Sequence, residues 1–393
     1  MQESHGVTAA AAQLGFDPQS LARVAGKVSA DIAASKYDGA RIMVARRGQT
    51  VLDLTLGYAQ RDADRMLKPD SAFSIMSISK VMTAVALLRC VERGQVSLIT
   101  PVSHIIPEFA KRGKERVTVG QILTHTAGLG MAPAPLPVDQ LGDLDRAVAA
   151  ICDLPLESAP GEIVSYSAMT GYTILAGVVK RLDEKQRAFR HIMAQDVFEP
   201  LQMRDTSFGL APHLASRRVP VIVRDPDAPE LNKAFLAARD NGATESTELA
   251  SGGATFSTAQ DLVRFAEMLR LGGALDGKRI LSPAMVRAMV RNQTGDRPNS
   301  MFNSSRALHG MAPFPAYLGL GTFLRGEGIF PSHIAMLASP SSFGGWGLGS
   351  MGFWVDPERE LTFVALTSGV MERIRNLLRF QALGDMVLAS IVE

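Results

Sequence analysis

The chain has 393 residues, 46% of them hydrophobic and 20% charged, with a net charge of +2. This is the composition of a folded globular protein of one large or two ordinary domains, and its near-neutral charge gives no electrostatic footprint for nucleic acid or an anionic membrane. Two cysteines (Cys90 and Cys152) and seven histidines without ligand spacing exclude a disulfide framework and point to no metal or cofactor, while the lack of a signal-like N-terminus or a bilayer-length apolar run gives a soluble, cytoplasmic protein as the expectation.

Apolar residues at helical spacing, Leu21, Val24, Val28 and Ile32, predict a helix over 17–35. Runs at 40–45 and 50–56 flank Arg46-Arg47-Gly48-Gln49 and predict a β-hairpin, with Gly57 closing it. An apolar helix then opens at Ser77 and ends near Gly94. Residues 100–240 carry short helical patterns broken by Pro and Gly, including a run from Thr173 to Leu182. The clearest later helices are 184–195 and 258–271. Near the end, 352–355 and 361–366 flank Asp356-Pro357-Glu358-Arg359 as a second hairpin, and a helix from about 373 to 391 finishes the chain. Strands at both ends with helices between them predict an α/β (α+β) fold. An antiparallel sheet domain (1–99 with 245–393) is flanked by helices, a mainly helical domain covers 100–244, and the active site lies in the cleft between them. There are no internal repeats.

Three features carry chemistry. The first is Ser77-Ile78-Ser79-Lys80 at the head of the apolar helix. Positions i and i+3 share a helix face, so a hydroxyl and an amine lie side by side. Serine needs an adjacent base to act as a nucleophile, and lysine becomes one when burial lowers its pKa. The alternative is a serine that only caps the helix, since a chain this long holds about one such spacing by chance. The second is Tyr166, presented after the Pro160-Gly161 turn; near a lysine cation its phenol loses its proton more readily and can relay protons for Ser77. A packed tyrosine is the other reading. The third is the glycine-rich run 342–352, which lets a backbone approach a ligand closely and offer an N–H to an oxyanion. Within it, Gly347 to Gly352 forms a G-x-G-x-x-G, but the run opens a strand rather than a helix, which rejects a dinucleotide site.

In this order and at these separations, the features resemble the serine β-lactamase-like superfamily, specifically class C β-lactamases and family VIII carboxylesterases. Residues 73–102 look like that family's nucleophile helix and the turn after it. Val117 to Leu129 is similar to its T-x-x-x-L-L-x-H-T-S-G-L segment, and Ser251 to Leu262 to its G-G-x-x-S-T-A-x-D-L helix start. The resemblance spans nearly all of 17–390. It implies a serine β-lactamase/DD-peptidase-like fold with Ser77, Lys80 and Tyr166 as catalytic residues. His125 is implied to fix a loop by hydrogen bonding rather than to catalyse.

Two departures bear on substrate. Class C enzymes carry Tyr-x-Asn at the second motif, where this chain has Ala168. Their third motif begins with Lys, whereas here it is Gly345-Trp346-Gly347 or Trp346-Gly347-Leu348, with no cation and a large apolar face at Trp346. The second oxyanion N–H then belongs to Leu348 or Gly349, and Trp346, Gly347 and Leu348 form the substrate-binding edge. Together these point to a serine esterase for a small-molecule ester with a small or medium apolar acyl group, in which Trp346, Met301, Phe302 and Met311 line an apolar pocket. Alternatives within the fold are a β-lactamase, a D-amino-acid peptidase or amidase, and an acyltransferase of the statin-synthase type. A non-catalytic binding protein of the same fold is the alternative from a different class.

Overall fold

The computed structural model describes residues 6–225, 228, 232–348 and 351–393. Its centre is an antiparallel sheet of β1 (Gly39–Arg46), β2 (Gln49–Gln60), β3 (Arg65–Met66), β4 (Phe323–Leu324), β5 (Phe343–Gly347), β6 (Met351–Asp356) and β7 (Leu361–Ser368). The strand order is β4-β5-β6-β7-β1-β2-β3, so the two chain ends meet where β1 pairs with β7 from Gly39↔Ser368 to Arg46↔Leu361. Side chains alternate across a strand, and β1 is buried on both faces. Ala40, Ile42 and Val44 enter a core shared with α1 (Pro18–Ala33) and the C-terminal helix (Arg373–Ala389). Met43 and Ala45 enter a larger core on the other face, shared with α2 (Ile78–Glu92), α3 (Gly171–Leu182) and the helix Ala259–Arg270.

Local signals explain the elements. Asp17 caps α1, its carboxylate accepting from the N–H groups of Gln19 and Ser20, with Pro18 at the first helical position. Thr258 caps the helix Ala259–Arg270 in the same way. The helix α2 is buried on nearly all sides because it lies between β5 and α3.

Two expectations need correction. Gly57 does not close the first hairpin, since β2 runs through it to Gln60. Gly57 has φ +77°, and a Cβ there would stand 2.4 Å from the carbonyl oxygen of Asp38, so glycine keeps the strand paired at a close approach. The helix expected over 184–195 begins only at Phe189 and continues to Phe198 with a wider last turn. Arg187 bridges Asp183 and Asp196, and the Arg187 N–H donates to Asp183, which holds the preceding residues as a turn. The glycine-rich run agrees with the strand edge expected of it: Phe343–Gly347 of it is β5, paired with β6 from Phe343↔Val355 to Gly347↔Met351. Residues 349 and 350 of the G-x-G-x-x-G lie outside the described residues. No helix among the described residues is long and apolar enough to cross a membrane.

Candidate active site

A short strand, Ala72–Ser74, leads into the nucleophile turn. Met76 follows with φ +51°, a left-handed conformation that costs a side-chain-bearing residue about 1–3 kcal/mol and clusters at functional sites. Ser77 occupies the N-cap position of α2, yet its side chain caps nothing. Its Oγ lies instead 3.0 Å from Nζ of Lys80. The capping alternative for this hydroxyl is therefore excluded by geometry.

Lys80 is 3% exposed. Its amine donates to the Ser251 carbonyl oxygen, and Ser251 is held by a 2.8 Å hydroxyl contact with Thr173. The rings of Tyr166 and Tyr172 centre 5.0 and 5.9 Å from the amine. Burial pushes the Lys80 pKa well below the ordinary lysine value, and the nearby Arg239 cation pushes it the same way. A neutral amine next to a serine hydroxyl can take that hydroxyl's proton. Gly252, at φ +122°, makes room for the pair: a Cβ there would stand 2.7 Å from Ser77 Oγ and 3.1 Å from Lys80 Nζ.

Tyr166 is pinned from two sides. The Ser165 N–H donates to the His125 carbonyl at 2.9 Å, and the Tyr166 N–H donates to Asn299 Oδ1 at 3.3 Å. The phenol is buried, and its hydroxyl has no aligned hydrogen-bond partner among the described residues. Burial raises its pKa, outweighing the opposing pull of the nearby Ser77 hydroxyl and of Arg373. The expectation of a readily ionised phenol is thus reversed: burial and Arg239 disfavour the Lys80 cation on which that expectation relied, and burial of the phenol itself favours its neutral form. His125 braces this loop. Its Nδ1 lies 3.2 Å from the Ser167 N–H and 3.0 Å from the Ser167 hydroxyl, and its ring centres 4.4 Å from that of Tyr166. Burial and Lys80 hold its pKa well below the usual histidine value.

The third wall is β5. A Cβ on Gly345 would meet Val81 at 2.6 Å, and one on Gly347 would meet the Ile75 carbonyl at 2.6 Å and Met76 Cβ at 2.8 Å. Both glycines face the nucleophile turn, so Trp346 between them faces the opposite side. There it joins Tyr166, Met301, Phe302 and Phe314, with Met311 packed against the group. Leu348, just beyond the strand, lines a cavity of about 220 Å³ in front of Ser77, together with Met76, Ala168, Met169, Met301 and Trp346. Gly349, the other candidate for the oxyanion N–H, lies outside the described residues.

Sequence reasoning missed Arg239 and Asp240, which end the helix Lys233–Asn241. Arg239 reaches the Met76 sulfur at 3.0 Å and the Met169 sulfur at 3.6 Å, and pairs with Asp240 at 2.5 Å. Asp240 accepts from the Ser74 hydroxyl and, at 2.8 Å, from the Ala254 N–H. The pair therefore ties the strand before Ser77 to the segment that carries Ser251 and Gly252. An adjacent Arg-Asp at a helix end has no periodic signature. The nearest signal was Gly252-Gly253, where Gly253, at φ +124°, leaves space that Arg239 fills.

A family model described as Beta-lactamase matches residues 24–382. The chain is 33% identical over 262 residues to Esterase EstB of Burkholderia gladioli, spanning 59% of this chain and 65% of that protein. It is 26% identical over 356 residues to the Esterase/beta-lactamase LipL of Mycobacterium tuberculosis, spanning 84% of this chain and 76% of LipL. A solved structure of a family VIII carboxylesterase shares its fold, with a TM-score of 0.76 at 21% identity over 97% of this chain and 99% of the other.

Proposed function

The chain belongs to the beta-lactamase family, and from that premise we propose that it is a serine hydrolase of family VIII type, cleaving neutral carboxylic esters with small or medium apolar acyl groups. The observation that carries this reading is the buried Lys80 amine, 3.0 Å from the Ser77 hydroxyl, at the edge of a largely apolar cavity. Relatives named as esterases support the reaction class. Ser77 Oγ attacks the ester carbonyl carbon while its proton passes to Lys80. The N–H of Ser77 and one near Leu348 hold the oxyanion. As the tetrahedral intermediate collapses, the C–O bond to the alcohol breaks, and the proton travels by way of Lys80 and Tyr166 to the leaving oxygen. Water then attacks the acyl-enzyme and returns Ser77. The division into a sheet domain (1–99 with 245–393) and a helical domain (100–244), with this site in the cleft between them, belongs to the same proposal.

A second reading, β-lactam hydrolysis, is favoured by Arg239 and Arg373, which line the cavity and could meet a substrate carboxylate. Against it, Arg239 is already paired with Asp240, and Ala168 offers no hydrogen bond to an acylamino group. A site without the partner for a polar group loses discrimination for it. Assaying p-nitrophenyl esters of rising chain length beside nitrocefin separates the two. Turnover of short or medium esters with weak nitrocefin hydrolysis is expected. A kcat/KM for nitrocefin that equals or exceeds that for every ester would overturn the ester reading.

A further inference from the structure

Trp346 has a second apolar space behind it. A small chamber of about 40 Å³ is lined by Trp346 with Phe302, Phe314, Phe323, Phe330 and His333. Trp346 is thus common to this chamber and to the cavity in front of Ser77. Its indole stacks on the His333 ring at 4.1 Å and 13° and lies nearly parallel to Tyr166 at 6.1 Å and 12°. Phe323 touches it from the side at 5.1 Å. Burial and the Arg379 cation push the His333 pKa down to about 3, so this ring is neutral and adds no charge to the chamber. A buried indole N–H usually finds an acceptor, but Trp346 Nε1 has none among the described residues. Packing alone therefore holds the ring in place.

We propose that Trp346 is a partition that sets substrate chain length, and that the chamber behind it is an apolar subsite for the alkyl tail of an ester once the indole is moved or removed. The proposal rests on the ester-hydrolase reading for its substrate class. Each methylene drawn from water into an apolar site is worth about 0.8 kcal/mol, close to fourfold. Two further methylenes admitted past residue 346 then amount to roughly tenfold or more in kcat/KM.

The test compares wild type with Trp346→Ala and Trp346→Phe on two ester series, one lengthening the acyl chain and one lengthening the alcohol. Trp346→Ala should move the optimum of one series to longer chains by at least two carbons, with Trp346→Phe between it and wild type. The series that moves identifies the tail that the chamber takes. Active variants with both profiles unchanged would overturn the proposal. Alkyl fluorophosphonates of rising chain length provide a readout independent of turnover: the Ser77 Oγ–P bond forms, P–F breaks, fluoride leaves, and the serine proton passes to Lys80. Wild type labelled at Ser77 but inert to every ester would refute the ester reading, while a labelling profile shifted only in Trp346→Ala would still uphold the partition. If Trp346→Ala fails to fold, Trp346→Leu replaces it, and an unshifted labelling profile in that variant overturns the partition.

Discussion

Two lysines among the described residues are buried, and their surroundings make them different groups. Lys80 is 3% exposed and Lys114 is 0% exposed. Each amine donates to a backbone carbonyl, of Ser251 and Leu154 respectively, and each lies over an aromatic ring, at 5.0 Å from Tyr166 and 5.5 Å from Phe109. Burial lowers both pKa values. The neighbours then differ. Arg239 drives Lys80 further down, whereas around Lys114 the upward pull of Cys152 and Asp153 works against the downward push of Arg112 and Lys111. Lys80 also faces a serine hydroxyl at 3.0 Å, and Lys114 donates to a carbonyl oxygen that has no proton to give up. Burial alone does not make a lysine a base; a nearby charge that is not offset and a proton donor within reach do.

The largest effect that tests this contrast is removal of the nucleophile. Ser77→Ala should cost several powers of ten in kcat for ester hydrolysis, with the circular-dichroism spectrum and Tm preserved. Retention of a tenth of the wild-type rate would assign the chemistry elsewhere. Next come Lys80→Ala and Tyr166→Phe, each expected to lose on the order of 10³ in kcat, with the double variant little worse than the weaker single. Multiplicative losses in the double variant would show two independent groups in place of one relay.

A smaller effect is on pH dependence. The base works only when neutral, so activity falls as pH drops through the folded pKa of Lys80. The groups facing that amine are the Ser77 hydroxyl, the rings of Tyr166 and Tyr172, His125 and Arg239. Arg239→Met removes the one fixed cation among them, so the Lys80 pKa rises and the acid limb of kcat/KM moves to higher pH. Arg239→Lys keeps the charge and should leave the limb near its wild-type position. An unmoved limb in Arg239→Met would make Arg239 a structural brace only. The smallest effect belongs to the comparison lysine: Lys114→Met should change kcat/KM by less than about twofold and stability by roughly 1 kcal/mol, measured by kinetics and urea unfolding.

The nucleophile helix was legible because its information is local. Ser77 and Lys80 share one turn, and the uninterrupted apolar run after them reported burial. The two hairpins were legible from alternation around turn residues. What was not legible depends on partners far along the chain. Arg239 acts on Met76, 163 residues away, and Gly252 matters because it abuts Ser77 and Lys80. The glycine-rich run was legible as a strand edge from its place before the last hairpin, but not its bounds, because glycines erase the side-chain alternation that marks a strand; Gly345 and Gly347 are bare for close approach to Val81 and to Ile75 and Met76. The pKa of Tyr166 was misjudged for a related reason. Sequence order placed a phenol near a lysine, but only the fold disfavours that lysine's charge and buries the phenol.

The rate of Ser77 phosphonylation by a short alkyl fluorophosphonate, measured against pH in wild type, tests most directly whether Lys80 is a neutral base at rest. The account predicts a rate that climbs through one ionisation and levels off well below the free-lysine value of about 10.4, with the same profile in Lys114→Met. A rate that keeps climbing up to the ordinary lysine pKa would show that Lys80 rests as a cation, and would contradict the account.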